Sequence, residues 1–386
     1  MYNIKTYNKI SKIGLNEFDE KYTVADDVEE PVGAIVRSAA LHDEIFPKSL
    51  LAIARAGAGT NNIPIERCSD EGIIVFNTPG ANANAVKELV VAGLLLSSRK
   101  IIPAIEWAKT LKGNGDEVGK MVEKGKGAFA GPEIRGKTIG VIGLGAIGVL
   151  VANAAYSLGM KVYGYDPYLS LQNAWNLSHK VKQATDIKEI YENCDYISLH
   201  IPLTKDTKGT INESTIAMMK DGVRILNFAR DGLVNSTDMI VALEKGKVAS
   251  YVVDFPTDEM IGVNGVICIP HLGASTPESE ENCAEMAAKQ LVDYIENGNI
   301  TNSVNIPNIS MPRSGENRIC IIHKNVPNML TAITTIFAKD NINIENLLNK
   351  SKGDIAYTML DVNNVDADVI MKDLLEVDGI VRVRII

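Results

Sequence analysis

Aromatic residues are scarce in this 386-residue chain, at 5%, with only two tryptophans. The five cysteines (Cys68, Cys194, Cys268, Cys283 and Cys320) are odd in number and contain no C-x-x-C pair, so neither a disulfide framework nor a cysteine zinc site is expected, and no metal is assigned. They read as small buried hydrophobes in a reducing compartment. No apolar run reaches the roughly 18 residues of a membrane-spanning helix. The N-terminal segment carries Lys5, Lys9, Lys12, Glu17 and Asp19, unlike a signal peptide. A cytoplasmic protein without membrane contact is therefore expected. Basic runs are missing too: 39 Lys+Arg against 48 Asp+Glu leaves a net charge of −9, which argues against nucleic acid as the partner. Small anionic ligands stay open, because a few arginines can dominate a pocket.

What is present is ordinary globular composition, 46% hydrophobic and 23% charged. At about 150 residues per domain, the length suggests two to three domains. Short apolar runs at 34–36, 52–54 and 73–76 alternate with helical segments, and a second alternation runs through 139–142, 161–165, 196–200, 224–228, 250–253 and 266–269. Such β/α alternation predicts parallel sheets covered on both faces. Between the two series, 85–98 predicts a deeply buried helix and the Gly- and charge-rich 112–133 a surface connection. Residues 277–297 predict one amphipathic helix stopped by Gly298. The Pro-, Asn- and Ser-rich 300–316 reads as a linker. Beyond it the order strand, helix, strand, strand, helix, strand predicts a small βαββαβ domain.

The strongest motif is Gly143-Leu-Gly145-Ala146-Ile147-Gly148, after an apolar run and before a helical segment, with Asp166 at the end of the next strand. The first glycine permits the tight turn, the second close approach of a pyrophosphate, and the third close helix–strand packing. Asp166 suits a ribose diol and repels a 2′-phosphate, so NAD is favoured over NADP. Three later segments put charge at strand ends, where open parallel sheets bind ligands: Asn227-Phe-Ala-Arg230-Asp-Gly232, Asp254-Phe-Pro-Thr-Asp-Glu259, and Pro270-His271-Leu-Gly-Ala-Ser-Thr276. In the N-terminal third, Arg37 and Arg55 each follow a short apolar strand, and paired arginines can hold a phosphate or carboxylate.

With RAGAGTNNIP (55–64) and NTPGANANAVKE (77–88), these motifs make the chain resemble the D-specific 2-hydroxyacid dehydrogenases over nearly its whole length. The resemblance implies two Rossmann-like doubly wound parallel-sheet domains plus a C-terminal βαββαβ (ACT, ferredoxin-like) domain. The substrate-binding domain is expected at 1–90 with 277–305, the NAD-binding domain at 91–276, and the ACT domain at 317–386. The implied catalytic groups are Arg230, Glu259 and His271. His271 takes the hydroxyl proton, a carboxylate orients its ring, and Arg230 grips the substrate carboxylate. Met260 stands where the family has proline, which leaves Asp258 as the alternative to Glu259. Cofactor contacts are implied from Thr78, Ala146, Ile147, Pro202, Phe228, Ala229, Asp254 and Gly273, and substrate contacts from Arg37, Arg55 and Asn82. With Lys87 near the same end, a phosphorylated substrate is expected, D-3-phosphoglycerate first and another D-2-hydroxyacid second. A non-catalytic NAD-sensing module is the reading from a different class, and Arg230 and His271 argue against it. In serine-regulated members of the family the effector lies between paired ACT domains. The corresponding positions here are His323, Asn325 and Asn343, and Asn328 replaces a loop glycine. A homodimer or homotetramer is expected, since pairing would cap edge strands.

Overall fold

The computed structural model describes all 386 residues and contains three sheets. In the first, β1 (Tyr2–Tyr7), β2 (Tyr22–Ala25), β3 (Gly33–Val36), β4 (Ala52–Arg55) and β5 (Ile74–Phe76) lie parallel in the order β2-β1-β3-β4-β5. The order reverses between β1 and β3, and Arg37 directly follows β3. The second sheet runs β12-β11-β10-β9-β6-β7-β8, again all parallel. It is built from β6 (Thr138–Ile142), β7 (Lys161–Tyr165), β8 (Lys182–Gln183), β9 (Tyr196–Leu199), β10 (Val223–Asn227), β11 (Val248–Val253) and β12 (Val266–Cys268). Its strand order reverses between β6 and β9, the place where such sheets hold ligands. The expected strands match these closely. β1, β2 and the two-residue β8 were not foreseen, because each is short or mixes polar residues into the run.

The third sheet is antiparallel, in the order β14-β15-β13-β16, from β13 (Asn317–Lys324), β14 (Ile344–Lys352), β15 (Ile355–Val362) and β16 (Ile380–Ile385). Helices Met329–Lys339 and Ala367–Leu375 cover one face through Ile333, Phe337, Ile370 and Leu374. Asn328 takes a left-handed φ of 69°, so it makes the turn that glycine makes elsewhere. No helix is long and apolar enough to cross a membrane.

Contacts divide the chain into two compact units, Met1–Asn82 with Thr276–Ile386, and Ala83–Ser275. A boundary at 90 would cut the helix Ala83–Ser98, which lies wholly in the second unit. That helix is buried along one side only. Residues 112–133 are not a plain connection: they form the helix Val118–Gly125 between two short 3-10 turns, and Phe129 stacks on Trp107 at 5.2 Å. Nor is 300–316 a free linker, because Ile300, Ile306, Ile309 and Met311 are buried in the first unit's core.

The third sheet is joined to the first unit rather than standing apart from it. Its other face contributes Cys320, Ile322, Tyr357 and Met359 to the same core as Ala284, Ala287 and Leu291 of the helix Pro277–Asn297. A helix end leaves its last carbonyls short of partners, and beyond the bond from Gly298 N to Tyr294 O the sheet supplies the donors. Arg384 donates to Tyr294 O at 3.3 Å and Ile295 O at 2.8 Å, Arg318 to Asn297 O at 2.9 Å, and Tyr357 Oη to Gly298 O at 2.8 Å. Two cations at a helix C-terminus also meet the negative end of its dipole. Arg318 is itself held in a buried two-point pair with Asp361, at 2.7 and 2.8 Å.

Candidate active site

The glycine turn begins where β6 ends. Gly143 has a φ of 92°, which a side chain rarely adopts. A Cβ on Gly148 would run into the carbonyl oxygen of Gly143, so the helix Ala146–Ser157 can start this close only with glycine there. At Gly145, the N-cap of that helix, an added Cβ would meet nothing within 4 Å. Space therefore lies open where the free N–H groups and the positive dipole end point, with Ala146 exposed and Ile147 half-buried beside it. Asp166 closes the turn: one carboxylate oxygen accepts from Leu144 N at 2.8 Å and the other from Tyr168 N at 2.8 Å. Each oxygen keeps a lone pair for a ribose hydroxyl. A recess of about 190 Å³ opens beside it, lined in part by Leu144, Leu177 and Val181. This cradle fits NAD.

The loops after β10, β11 and β12 carry the charged groups. Asn227, buried at the end of β10, shapes the first: its Nδ2 donates to Arg230 O at 3.0 Å and its Oδ1 accepts from Ala229 N at 3.2 Å. Phe228 is buried and Arg230 exposed, with the guanidinium turned onto Ala229 O at 2.7 Å. Asp254, at the end of β11, is 1% exposed, and its Oδ1 has no hydrogen-bond partner in the protein. Burial pushes its carboxyl up to about 6, against the opposing pull of His271 and Arg230. An orphaned acceptor at this depth fits an amide such as that of nicotinamide. His271 is exposed and its ring lies 4.6 Å from that of Phe255. Gly273 is buried against Val86.

Arg230, Asp254 and His271 thus share one electrostatic neighbourhood. Glu259 does not join it: it stands exposed, as does Asp258, in the turn after Thr257, with no hydrogen bond or ion pair to His271. The carboxylate that sequence reasoning sought for His271 has a rival in Asp254, whose burial no local pattern announces. Pro202 is exposed, at the mouth of the loop after β9. His200, just before it, was not singled out. It hydrogen-bonds Ser198 Oγ at 2.8 Å beneath the glycine turn, and burial pulls its imidazole down to about 4, so it stays neutral at pH 7. The apolar strand it ends was its only sequence signal. Lys87, half-buried, lies 3.5 Å from Glu88.

In the first unit, Arg37 and Arg55 follow β3 and close β4. Arg37 pairs with Glu280 at 2.7 Å and Arg55 Nε donates to Asn62 Oδ1 at 3.0 Å. Burial, with the like charge of Arg37 behind it, pulls the Arg55 guanidinium below its ordinary value. Thr78 is fully buried and Asn82 half-buried.

The three polar residues of the C-terminal sheet are not brought together within one chain. His323 pairs with Ala356 near one end of the sheet, whereas Asn343 precedes Ile344, which pairs with Val362 at the other. His323 is 2% exposed and both ring nitrogens are engaged, with Lys324 O at 2.8 Å and Thr358 Oγ1 at 2.9 Å. Asn325 donates to Gly353 O at 3.0 Å and Asn343 to Glu345 at 3.0 Å, both exposed. Within one chain the three residues lie at two separated ends, because β13 and β14 run in the same direction across β15.

Comparison with known proteins gives concordant results. The model of the D-isomer specific 2-hydroxyacid dehydrogenase NAD-binding domain matches residues 92–273, and that of an AHAS small subunit-like ACT domain matches 319–382. D-3-phosphoglycerate dehydrogenase of Haemophilus influenzae is 34% identical over 355 residues, covering 89% of this chain and 82% of that protein. The protein of the same name from Escherichia coli (strain K12) is 32% identical over 355 residues, covering 88% and 82%. Among solved structures, NAD+-bound 3-phosphoglycerate dehydrogenase of Entamoeba histolytica aligns with a TM-score of 0.59 at 28% identity, over 79% of this chain and 98% of that one.

Proposed function

Because the chain belongs to the D-isomer specific 2-hydroxyacid dehydrogenase family, we propose that this NAD-dependent oxidoreductase converts D-3-phosphoglycerate to 3-phosphohydroxypyruvate, the first step of the phosphorylated route to L-serine. NAD, when bound, accepts the hydride from C2. Gly145 and the start of the helix Ala146–Ser157 hold its pyrophosphate, and Asp166 its ribose. A ring nitrogen of His271 takes the hydroxyl proton. Arg230, permanently charged, grips the substrate carboxylate and polarises the C2 oxygen. Arg37, Arg55 and Asn82 are the proposed phosphate-side contacts. Glu259 stays in the proposal as the carboxylate that orients His271 in turnover, on the family pattern, with Asp254 as its rival.

The observation that carries this reading is the neighbourhood of Arg230, Asp254 and His271 at the carboxyl end of the sheet that bears the glycine turn. The test is NADH absorbance on mixing protein and NAD with D-3-phosphoglycerate, and separately with D-lactate, followed by glyoxylate and NADH in the reverse direction. We expect kcat/KM to favour the phosphorylated substrate by at least about a hundredfold, the worth of a charge-paired phosphate. Equal rates would overturn the phosphate assignment.

Two finer points belong to the same proposal. A pair of chains joined through their C-terminal sheets would set the His323–Asn325 end of one against Asn343 of the other, which suits L-serine as effector and a dimer or tetramer as the assembly. Inhibition by millimolar serine is expected. Unchanged rates would leave the sheet a structural module. The reading also places the enzyme in the cytoplasm, a setting that five unpaired thiols fit.

A further inference from the structure

A cavity of about 620 Å³ in the first unit is lined by none of the residues assigned above to catalysis, cofactor or substrate. It runs along one face of the helix Pro277–Asn297, between that face and the segment just after it, with the turn at Gly80 and Ala81 at one end. Gln290 lines it. This glutamine is only 7% exposed, yet neither its Oε1 nor its Nε2 has a hydrogen-bond partner in the protein. Burying an amide with both groups unmet destabilises the folded chain. The buried residues beside it in the helix are apolar (Ala287, Ala288 and Leu291), so packing alone does not call for an amide here.

The remaining lining sets the chemistry of what would meet that amide. Glu285 and Asp293 flank Gln290 on the same helix face. Asp293 Oδ1 already accepts from Asn297 at 2.9 Å and Asn299 at 3.0 Å, and its second oxygen has no partner. Lys289 is the one cation of the lining, and it is engaged by Glu285 and, at 3.7 Å, by Glu17. No unengaged cation of the lining answers the free carboxylate oxygen of Asp293, while Gln290 offers a donor and an acceptor side by side. A ligand that answers both features carries an ammonium next to an amide. The ammonium meets Asp293, the carbonyl accepts from Gln290 Nε2, and the amide N–H donates to Gln290 Oε1.

We propose that this cavity is a binding site for an α-amino amide, whether a free small molecule or the amino terminus of a peptide. The site stands apart from the dehydrogenase reading, because binding is measured directly and without turnover.

Calorimetric titration of the full-length protein with glycinamide tests it, with N-acetylglycinamide as the uncharged control. Saturable binding of glycinamide is expected, weakened by about tenfold or more in Gln290→Leu, which removes two hydrogen bonds and keeps the volume. The same variant should melt at a higher temperature than the parent, since it removes two unpartnered buried atoms. Asp293→Asn, which keeps the oxygen that Asn297 and Asn299 use, should weaken glycinamide and leave N-acetylglycinamide unchanged. It serves as the independent variant should Gln290→Leu fold poorly. Triglycine amide separates the sources: tighter binding than glycinamide points to a peptide terminus, and equal binding to a small molecule. No saturable binding of glycinamide or triglycine amide by the parent protein overturns the proposal, as does undiminished binding by both variants.

Discussion

The glycine turn and the loops after β10, β11 and β12 sit on one sheet but are built on opposite terms. In the turn the acid is fully engaged and the outer glycines answer steric demands: Asp166 has both oxygens bonded, Gly143 takes a φ of 92°, and Gly148 fills a space no side chain could share. In the loops the groups are left unmet: Asp254 has an orphaned oxygen and a carboxyl pushed up to about 6, while His271 and Arg230 are exposed. A cofactor cradle gains from rigidity, because donors fixed beforehand lose little entropy on binding. Groups that move protons must keep capacity for a partner that arrives later, at a cost to stability.

That contrast yields experiments in descending order of effect. His271→Ala should lower kcat by about a thousandfold, the range of a lost general base, with NAD binding and Tm unchanged because the ring is exposed. Steady-state rates beside NAD fluorescence titration check it, and a loss of only a few-fold would remove His271 from the chemistry. Gly148→Ala should do the reverse, with a loss of about 3 kcal/mol in denaturant unfolding from overpacking against backbone and weakened NAD binding as a consequence. If its stability stays at the parental level, the turn is looser than its contacts imply.

Asp254→Asn sharpens the comparison through pH. The folded state holds the Asp254 proton up to about 6, whereas the unfolded chain releases it near 3.8. Parental stability should therefore fall as pH rises between those values and stay level above them. The variant escapes that fall, so its advantage should grow across the same window and plateau at about 3 kcal/mol. A pH-independent difference in Tm would show that burial does not strain this carboxylate.

Gly145→Ala separates space from structure: stability should hold within about 0.5 kcal/mol, since an added Cβ meets nothing, while NAD affinity drops as the pyrophosphate loses its approach. Unchanged affinity would move the phosphate elsewhere. The smallest effect is expected from Glu259→Gln, about a tenfold loss in kcat with Tm unaltered. Parental rates would leave Asp254 as the only carboxylate beside His271.

Much of this was legible residue by residue. The parallel strands showed because central strands are buried on both faces and read as unbroken apolar runs, as at 139–142 and 34–36. β1 and β2 escaped that test, because their burial is mixed along the strand. The helix Val118–Gly125 was hidden by its glycines, whose intrinsic preference opposes a helix. The bond of His323 to Thr358 was not legible: a polar residue on a strand can serve a ligand or a neighbouring strand, and Thr358 lies far from it in sequence.

By itself, then, the order of residues settled what depends on near neighbours: the glycine spacing, the acid after the following strand, the stop at Gly298, the left-handed turn at Asn328. Tertiary structure alone decided the burial of Asp254, the docking of Arg318 and Arg384 onto the last carbonyls of the helix Pro277–Asn297, and the isolation of the Gln290 amide. The reason is physical. Backbone conformation follows local sterics, whereas desolvation and hydrogen-bond satisfaction depend on segments that folding brings in from distant parts of the chain.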